Sequence, residues 1–291
     1  MKAQKLPAVS LVGPGRAGKA FGRSWVAAGG QIVEVVGRSL DSARGGREAI
    51  GAGTARVASA KPIQGDILII AVPDDEIAGA AQSLAGRFPG THVFHLSGAL
   101  PASILGPLGS QGSALGSLHP ARVFTGAASE NWKGSFIAVE GDSSAVEEGE
   151  RIVRAIGGIP RRITASAKPL YHLAAALAAG GTAALIGLAT RAWQEAGIPG
   201  REARPALATL ARQAAAAAAS RDFEAVLTGP IARRDLGTVA LHAKALKTQP
   251  ALALLYEVLG REILERTPGR GREAEIRALL EARVTALPPK L

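Results

Sequence analysis

The chain has 291 residues, 47% of them hydrophobic, which allows one large or two ordinary domains with a substantial core. It has no cysteine, so disulfides and thiolate metal sites are excluded, and the expectation is that no metal is bound. The net charge of +10 is spread thinly, with no run denser than Arg161-Arg162 or Arg233-Arg234, and 4% aromatics leave little for bases to stack on. A solvated basic surface that attracts small anions is therefore expected, and no nucleic-acid partner. The stretch Met1-Lys2-Ala3-Gln4-Lys5-Leu6-Pro7 lacks a signal-peptide core, and no apolar run of membrane-spanning length stands uninterrupted. A soluble cytoplasmic protein with no membrane partner is the expectation.

In chain order, Val9 to Val12 reads as an apolar strand, followed by Gly13-Pro14-Gly15-Arg16-Ala17-Gly18 and a helix that runs to Ala28 and stops at Gly29-Gly30. Gly13, Gly15 and Gly18 have G-x-G-x-x-G spacing between strand and helix. The first glycine permits a tight turn, the second lets backbone approach a pyrophosphate, and the third lets helix pack on strand. The phosphates would sit at the helix N-terminus, where free N–H groups and the helix dipole favour negative charge. A plain glycine turn is the competing reading. Gln31 to Val36 is a second strand, and Gly37-Arg38-Ser39 follows it. Glu34 lies about 20 residues beyond the motif, where NAD enzymes carry a ribose-binding carboxylate. The strand runs on past it, so Arg38 and Ser39 fall under the adenosine ribose. That favours NADP, with NAD possible, and leaves an ordinary exposed loop arginine as the alternative for Arg38.

Asp41 to Gly51 reads as a short helix. Asp66 to Pro73 is a continuous apolar run of the kind found in parallel strands buried on both faces. Asp74 reads as the cap of a helix to about Gly86. Thr91 to Gly98, Leu115 to Leu118 and Ser135 to Val139 are further strands, then a helix from Ser143 to Ile156 and a strand from Pro160 to Ile163. Alternating strands and helices predict a doubly wound parallel sheet, an α/β Rossmann architecture, over residues 1–164. Ligands in such sheets sit beyond the carboxyl ends of the strands. Val72-Pro73, expected at the cofactor, then points to the same crevice as Ser97-Gly98 and His119-Pro120. His95 could share that face, but a satisfied histidine is the simpler reading.

No strand is evident after Thr164, and residues 165–291 are expected to form an all-helical domain for substrate binding and dimerisation. Lys168 to Ala196 reads as one long apolar helix weakened at Gly180-Gly181. Arg201 to Ser220 is alanine-rich, and Asp235 to Leu246, Ala251 to Glu265 and Arg272 to Leu280 are further helices. Apolar faces of this length need a partner, hence an expected homodimer. Arg233, Asp235, Thr238 and His242 form a polar cluster that could close a partner's site, unless Asp235 is simply a helix cap. Lys168 and His172 lie one turn apart on a shared face. They could serve as general acid or base, or be an exposed lysine and a partly buried polar residue. Arg122, just past His119, could meet a substrate carboxylate or phosphate.

Gly13 to Gly18, His95-Leu96-Ser97-Gly98, Ser117-Leu118-His119-Pro120, Lys168-Pro169-Leu170-Tyr171-His172 and Leu227-Thr228-Gly229-Pro230-Ile231-Ala232-Arg233 occur in that order. Together they resemble an uncharacterised family of predicted oxidoreductases, a Rossmann-like domain joined to a C-terminal domain of unknown function. That family resembles the wider 6-phosphogluconate dehydrogenase-like group, which includes ketopantoate reductases, pyrroline-5-carboxylate reductases and prephenate dehydrogenases. The resemblance implies NAD(P) binding, a helical second domain and dimerisation through it. It matches Lys168 to the lysine of a Lys-x-x-x-Asn pattern, with His172 in place of the asparagine. It also sets Ser97 and His119 where prephenate dehydrogenases carry a serine and a His-Pro histidine. Relatives often have Ser-Asn where this chain has Ala178-Ala179-Gly180-Gly181. The expected protein is an NADP-preferring oxidoreductase acting on a small carbonyl, imine or hydroxyl compound. Lys168 and His172 would polarise or protonate the reacting atom, and Ser97 and His119 would orient it. A non-catalytic NADP-binding sensor is the alternative.

Overall fold

The computed structural model describes residues 5–58, 61–269 and 271–281, so Met1–Gln4 of the N-terminal stretch lie outside the described residues. The chain forms two compact units, Met1–Ala179 and Gly180–Leu291. In the first, β1 (Ala8–Val12), α1 (Arg16–Ala27), β2 (Gln31–Gly37), α2 (Leu40–Ile50), β3 (Thr54–Val57), β4 (Ile67–Ile70), α3 (Ile77–Leu84) and β5 (His92–His95) come in sequence. Next are α4 (Gly106–Gly109), β6 (Ala114–Pro120), β7 (Phe136–Gly141), α5 (Ser143–Ala155), β8 (Ile159–Arg162) and α6 (Lys168–Ala176). The strands form one sheet in the order β3-β2-β1-β4-β5-β6-β7-β8. The order reverses between β1 and β4, the switch point at which doubly wound sheets open a crevice.

Two features depart from the sequence reading. Strand β3, an edge strand paired in parallel with β2, had no counterpart there. The sheet is also not parallel throughout: β7 runs antiparallel to β6, and β8 follows β7 in parallel. A parallel neighbour needs a crossover, usually a helix. The segment between β6 and β7 contains no α-helix, so the chain turns back beside the strand it has just left.

The apolar run of β4 is buried on both faces, as its composition requires. Ile67 and Ile69 pack with Phe21 and Trp25 of α1 and Ile152 of α5. Leu68 and Ile70 face the other way, into Ile77 and Leu84 of α3 and Leu105. Successive strand residues point to opposite faces, so one short strand anchors both layers.

The second unit contains α7 (Thr182–Glu195), α8 (Gly200–Ser220), α9 (Phe223–Val226), α10 (Leu236–Ala245), α11 (Pro250–Arg266) and α12 (Glu273–Glu281), with no strand among the described residues. Its core is small, built on Ile231, Val239, Leu264, Ile276 and Leu280. Buried Arg234 ties the entry of α10 to the segment after α11, donating to Ile231 O at 2.9 Å and Thr267 Oγ1 at 3.1 Å. Asp235 caps α10, accepting from Thr238 N at 3.0 Å. Gly180-Gly181 does not break the long helix. A single π-helical turn, Leu177–Gly181, absorbs it, and the helix continues from Ala165 to Glu195. By length and composition alone that helix could cross a membrane, contrary to the expectation of an interrupted run. Its first turns, however, are fastened to the sheet by Lys168 and Tyr171, as described next.

Candidate active site

The β1–α1 turn has the shape its glycines require. Gly13 has φ of +85°, and a Cβ there would lie 2.7 Å from Ala71 O. At Gly18 a Cβ would lie 2.6 Å from Gly13 O and 3.0 Å from the Ala71 side chain. Gly15 is different: the nearest atom to its would-be Cβ is 3.8 Å away, so its backbone faces open space. No side chain caps the first turn of α1, made by Arg16, Ala17 and Gly18. Turn, opening and close packing thus fall on three separate glycines, and uncapped N–H groups stand at the opening, an arrangement that fits a dinucleotide pyrophosphate. A cavity of about 370 Å³ beside it is lined by Gly13, Pro14, Gly15, Gly37, Arg38, Ser42, Val72, Pro73 and Glu76, among others. Arg16, Ala17, Gly18 and Ser39 do not line it, and Ser39 caps α2, accepting from Ser42 N at 3.2 Å.

Glu34 does not face this cavity. It is buried, paired with Arg56 at 2.8 Å and accepting from Gln64 N at 3.2 Å. The carboxylate that could have held a ribose is already committed, whereas Arg38 is exposed on the cavity wall.

At the carboxyl ends of β5 and β6 the structure brings Ser97, His119 and His172 together around Gly98. A Cβ on Gly98 would lie 2.7 Å from the His172 ring and 2.8 Å from the His119 ring, so only glycine lets both imidazoles approach. The two rings are 5.6 Å apart, edge to face. His119 Nδ1 lies 2.9 Å from Tyr171 Oη. Burial raises the Tyr171 pKa, so the phenol keeps its proton, which faces two acceptors, His119 Nδ1 at 2.9 Å and His119 O at 3.4 Å. With the phenol donating to Nδ1, the shorter of the two contacts, the imidazole proton sits on Nε2. Burial first, then the positive charges available to His172 and Lys168, pushes the His119 pKa down to about 4, and the ring is neutral at physiological pH.

Ser97 and Lys168 are engaged inward. The Ser97 hydroxyl donates to Asp74 Oδ2 at 2.8 Å and accepts from Ala99 N and Leu100 N at 3.2 and 3.1 Å. Asp74 opens a 3₁₀ turn without capping it, because its carboxylate holds this hydroxyl instead. Lys168 differs most from expectation: its side chain has no exposed surface. Its Nζ donates to Ser117 Oγ at 2.7 Å and Ser97 O at 3.1 Å, with Glu140 Oε2 at 3.9 Å. Ser117 donates in turn to Glu140 at 3.1 Å, which also accepts from Ala102 N at 2.9 Å. Burial pushes the Lys168 pKa down to about 8, against the opposing pull of the Glu140 and Asp74 carboxylates. His95 is buried and satisfied at both nitrogens, by Ser97 N at 3.1 Å and Pro101 O at 3.2 Å.

A cavity of about 430 Å³ opens beside the two imidazoles, lined by His119, Pro120, Ala121, Arg122, Val123, His172, Ala175, Ala176, Ala178 and Ala179. The sequence does not single out Asp74 as a partner, nor Tyr171 or Glu140 as site residues. Glu140 had a signal: it is the one charge in the otherwise apolar strand Phe136–Gly141. Tyr171 sits in the Lys-Pro-Leu-Tyr-His motif beside a residue already singled out.

Among solved structures, a protein from Thermotoga maritima is similar, with 25% identity and a TM-score of 0.73 over 89% of this chain and 98% of that one. A Bacteroides fragilis protein named as an NADP oxidoreductase has 20% identity and a TM-score of 0.73 over the same shares. A 1-pyrroline-5-carboxylate reductase from Streptococcus pyogenes has 13% identity and a TM-score of 0.65, over 91% of this chain and 99% of that one. No curated protein matches the sequence. Residues 1–120 match the Rossmann-like domain and residues 135–263 a domain of unknown function, DUF2520. The chain is thus a Rossmann-like plus DUF2520 protein, the two-part arrangement that its motif series resembles.

Proposed function

We propose that the protein is an NADP-preferring oxidoreductase that moves a hydride between a nicotinamide ring and a small carbonyl, imine or hydroxyl compound. One observation carries the reading: the glycine cradle, open at Gly15, and the neutral His119 imidazole, held by Tyr171, both stand at the carboxyl ends of strands in one sheet. The names of the Bacteroides and Streptococcus neighbours, an NADP oxidoreductase and a reductase, agree with it. Gly13 to Gly18 would hold the pyrophosphate, with Val72 and Pro73 beside it and Arg38 and Ser39 at the adenosine end. In the reducing direction His119 Nε2–H bonds the substrate oxygen or nitrogen and passes its proton there as Nδ1 takes one from Tyr171 Oη, which solvent then restores. Tyr171 fixes the tautomer, and His172 orients the substrate from the other side of Gly98. Ser97 and Lys168 are positioning residues, holding the segment that carries Gly98 by its hydroxyl and its carbonyl. The exposed apolar side chains of the helices, Leu170, Leu173, Leu210 and Leu241 among them, support a working homodimer.

A non-catalytic NADP sensor is the second reading, favoured by the alanine wall of the cavity, which offers no side-chain hydrogen bond. The two separate on NADPH affinity and NADPH oxidation, measured together against a panel of ketones, imines and aldehydes. His119→Gln should bind NADPH like the wild type and lose about 10²–10⁴-fold in rate. NADPH bound tightly with no turnover across the panel would leave the sensor.

A further inference from the structure

The cavity beside His119 and His172 combines three properties. Its walls are mostly aliphatic, including Val123, Ala175 and Ala178. Its imidazole His119 is uncharged at physiological pH. Arg122 is the one lysine or arginine among its described lining residues. The Arg122 guanidinium donates to Ser135 Oγ at 3.4 Å, a long bond, and no carboxylate among the described residues lies within ion-pair distance of it. An arginine on an apolar cavity, three residues along the chain from the proton-donating imidazole, is a place for an anionic group a few bonds from the reacting carbon. A single cation matches a single negative charge. A phosphate dianion would carry a second charge into mostly aliphatic walls, where only the His172 imidazole could meet it. On the opposite wall Ala178 and Ala179 supply no donor, so the body of the ligand there must itself be apolar.

We propose that the substrate is a small monocarboxylate with an apolar body, a 2-oxo acid or the corresponding 2-imino acid, and that Arg122 binds its carboxylate. The proposal rests on the oxidoreductase reading given above. In the reaction the carbonyl or imine carbon gains a hydride and its oxygen or nitrogen gains a proton, while NADPH is oxidised to NADP⁺. The product is a 2-hydroxy or 2-amino acid.

The test uses the full chain saturated with NADP⁺ for binding, and with NADPH for turnover. The probes are 4-methyl-2-oxopentanoate, phenylpyruvate, the neutral ketone 4-methyl-2-pentanone, and inorganic phosphate. Ligand-observed magnetic resonance gives affinities for the wild type, Arg122→Gln and Arg122→Lys. The acids should bind the wild type and lose about ten- to a hundredfold in Arg122→Gln, the range expected for a charged hydrogen bond, with partial recovery in Arg122→Lys. NADPH affinity should be the same in all three proteins. Binding of the neutral ketone as tight as that of the acids, acids indifferent to Arg122, or phosphate competing with the acids would each overturn the proposal. Acids that bind through Arg122 without NADPH oxidation would keep the carboxylate site and remove the oxidoreductase reading. Oxidation of NADPH by the neutral ketone alone would do the reverse.

Discussion

At the scale of single residues, Lys168 shows how far a motif can be from a role. Its amine is enclosed by Ser117, Ser97 O and Glu140, so it acts on a ligand only through the groups it holds. Lys168→Met would leave the Glu140 carboxylate buried without its counter-charge. Breaking a buried pair in this way costs about 3–5 kcal/mol, so thermal or urea unfolding should show a loss of that order. Adding Glu140→Gln should recover part of it. The pH dependence has a defined sign. The folded-state pKa of Lys168 is about 8, below its ordinary 10.5, so the unfolded chain binds the extra proton between those values. This group therefore makes stability rise as pH climbs from about 8 to 10.5, and the rise should be absent in Lys168→Met. The sequence showed Lys168 and His172 sharing a helix face but not which way the lysine turns. That depends on Glu140, 28 residues upstream on a strand that runs against its neighbour.

At the scale of elements, what could be read in advance was whatever local chain geometry decides. The turn after β1 needs Gly13, Gly15 and Gly18 for reasons internal to a strand–turn–helix unit, and the structure has the turn at Gly13, open space at Gly15 and close packing at Gly18. Strand β3 escaped because Thr54–Val57 is four residues long, at the sheet edge and without a buried side chain to mark it. Asp74 reads as a cap in the sequence because caps are local, whereas its partner Ser97 is 23 residues away. Between β2 and α2 the structure sharpens a cofactor expectation. With Glu34 held by Arg56, Arg38 is the charged side chain of β2 and its following turn that lines the cavity. Arg38→Ala should weaken NADPH binding by about tenfold or more and leave NADH nearly unchanged, as calorimetry on both cofactors would show. Equal losses for the two would make Arg38 structural.

At the scale of the whole molecule, the second unit raises the question of what covers it. Leu210 is 60% exposed and Leu241 69%, while its core rests on a handful of side chains. Single exposed leucines are ordinary, and the homodimer proposed above would cover these. Light scattering at micromolar concentration should give twice the 29.6 kDa chain mass. A monomer that still binds NADPH would refute the dimer.

The sheet itself limits where the chain can be divided. The Rossmann-like match ends at residue 120, the last residue of β6, and the DUF2520 match begins at 135, just before β7. Those two strands are hydrogen-bonded neighbours, and the Lys168–Ser117–Glu140 network crosses the same seam. The two family matches therefore meet inside one sheet. Severed at the seam, the first would expose β6 as a bare edge open to foreign strands, and the second would leave Glu140 and Lys168 without Ser117 between them. Shuffling either half onto an unrelated partner would break the sheet before it changed the chemistry.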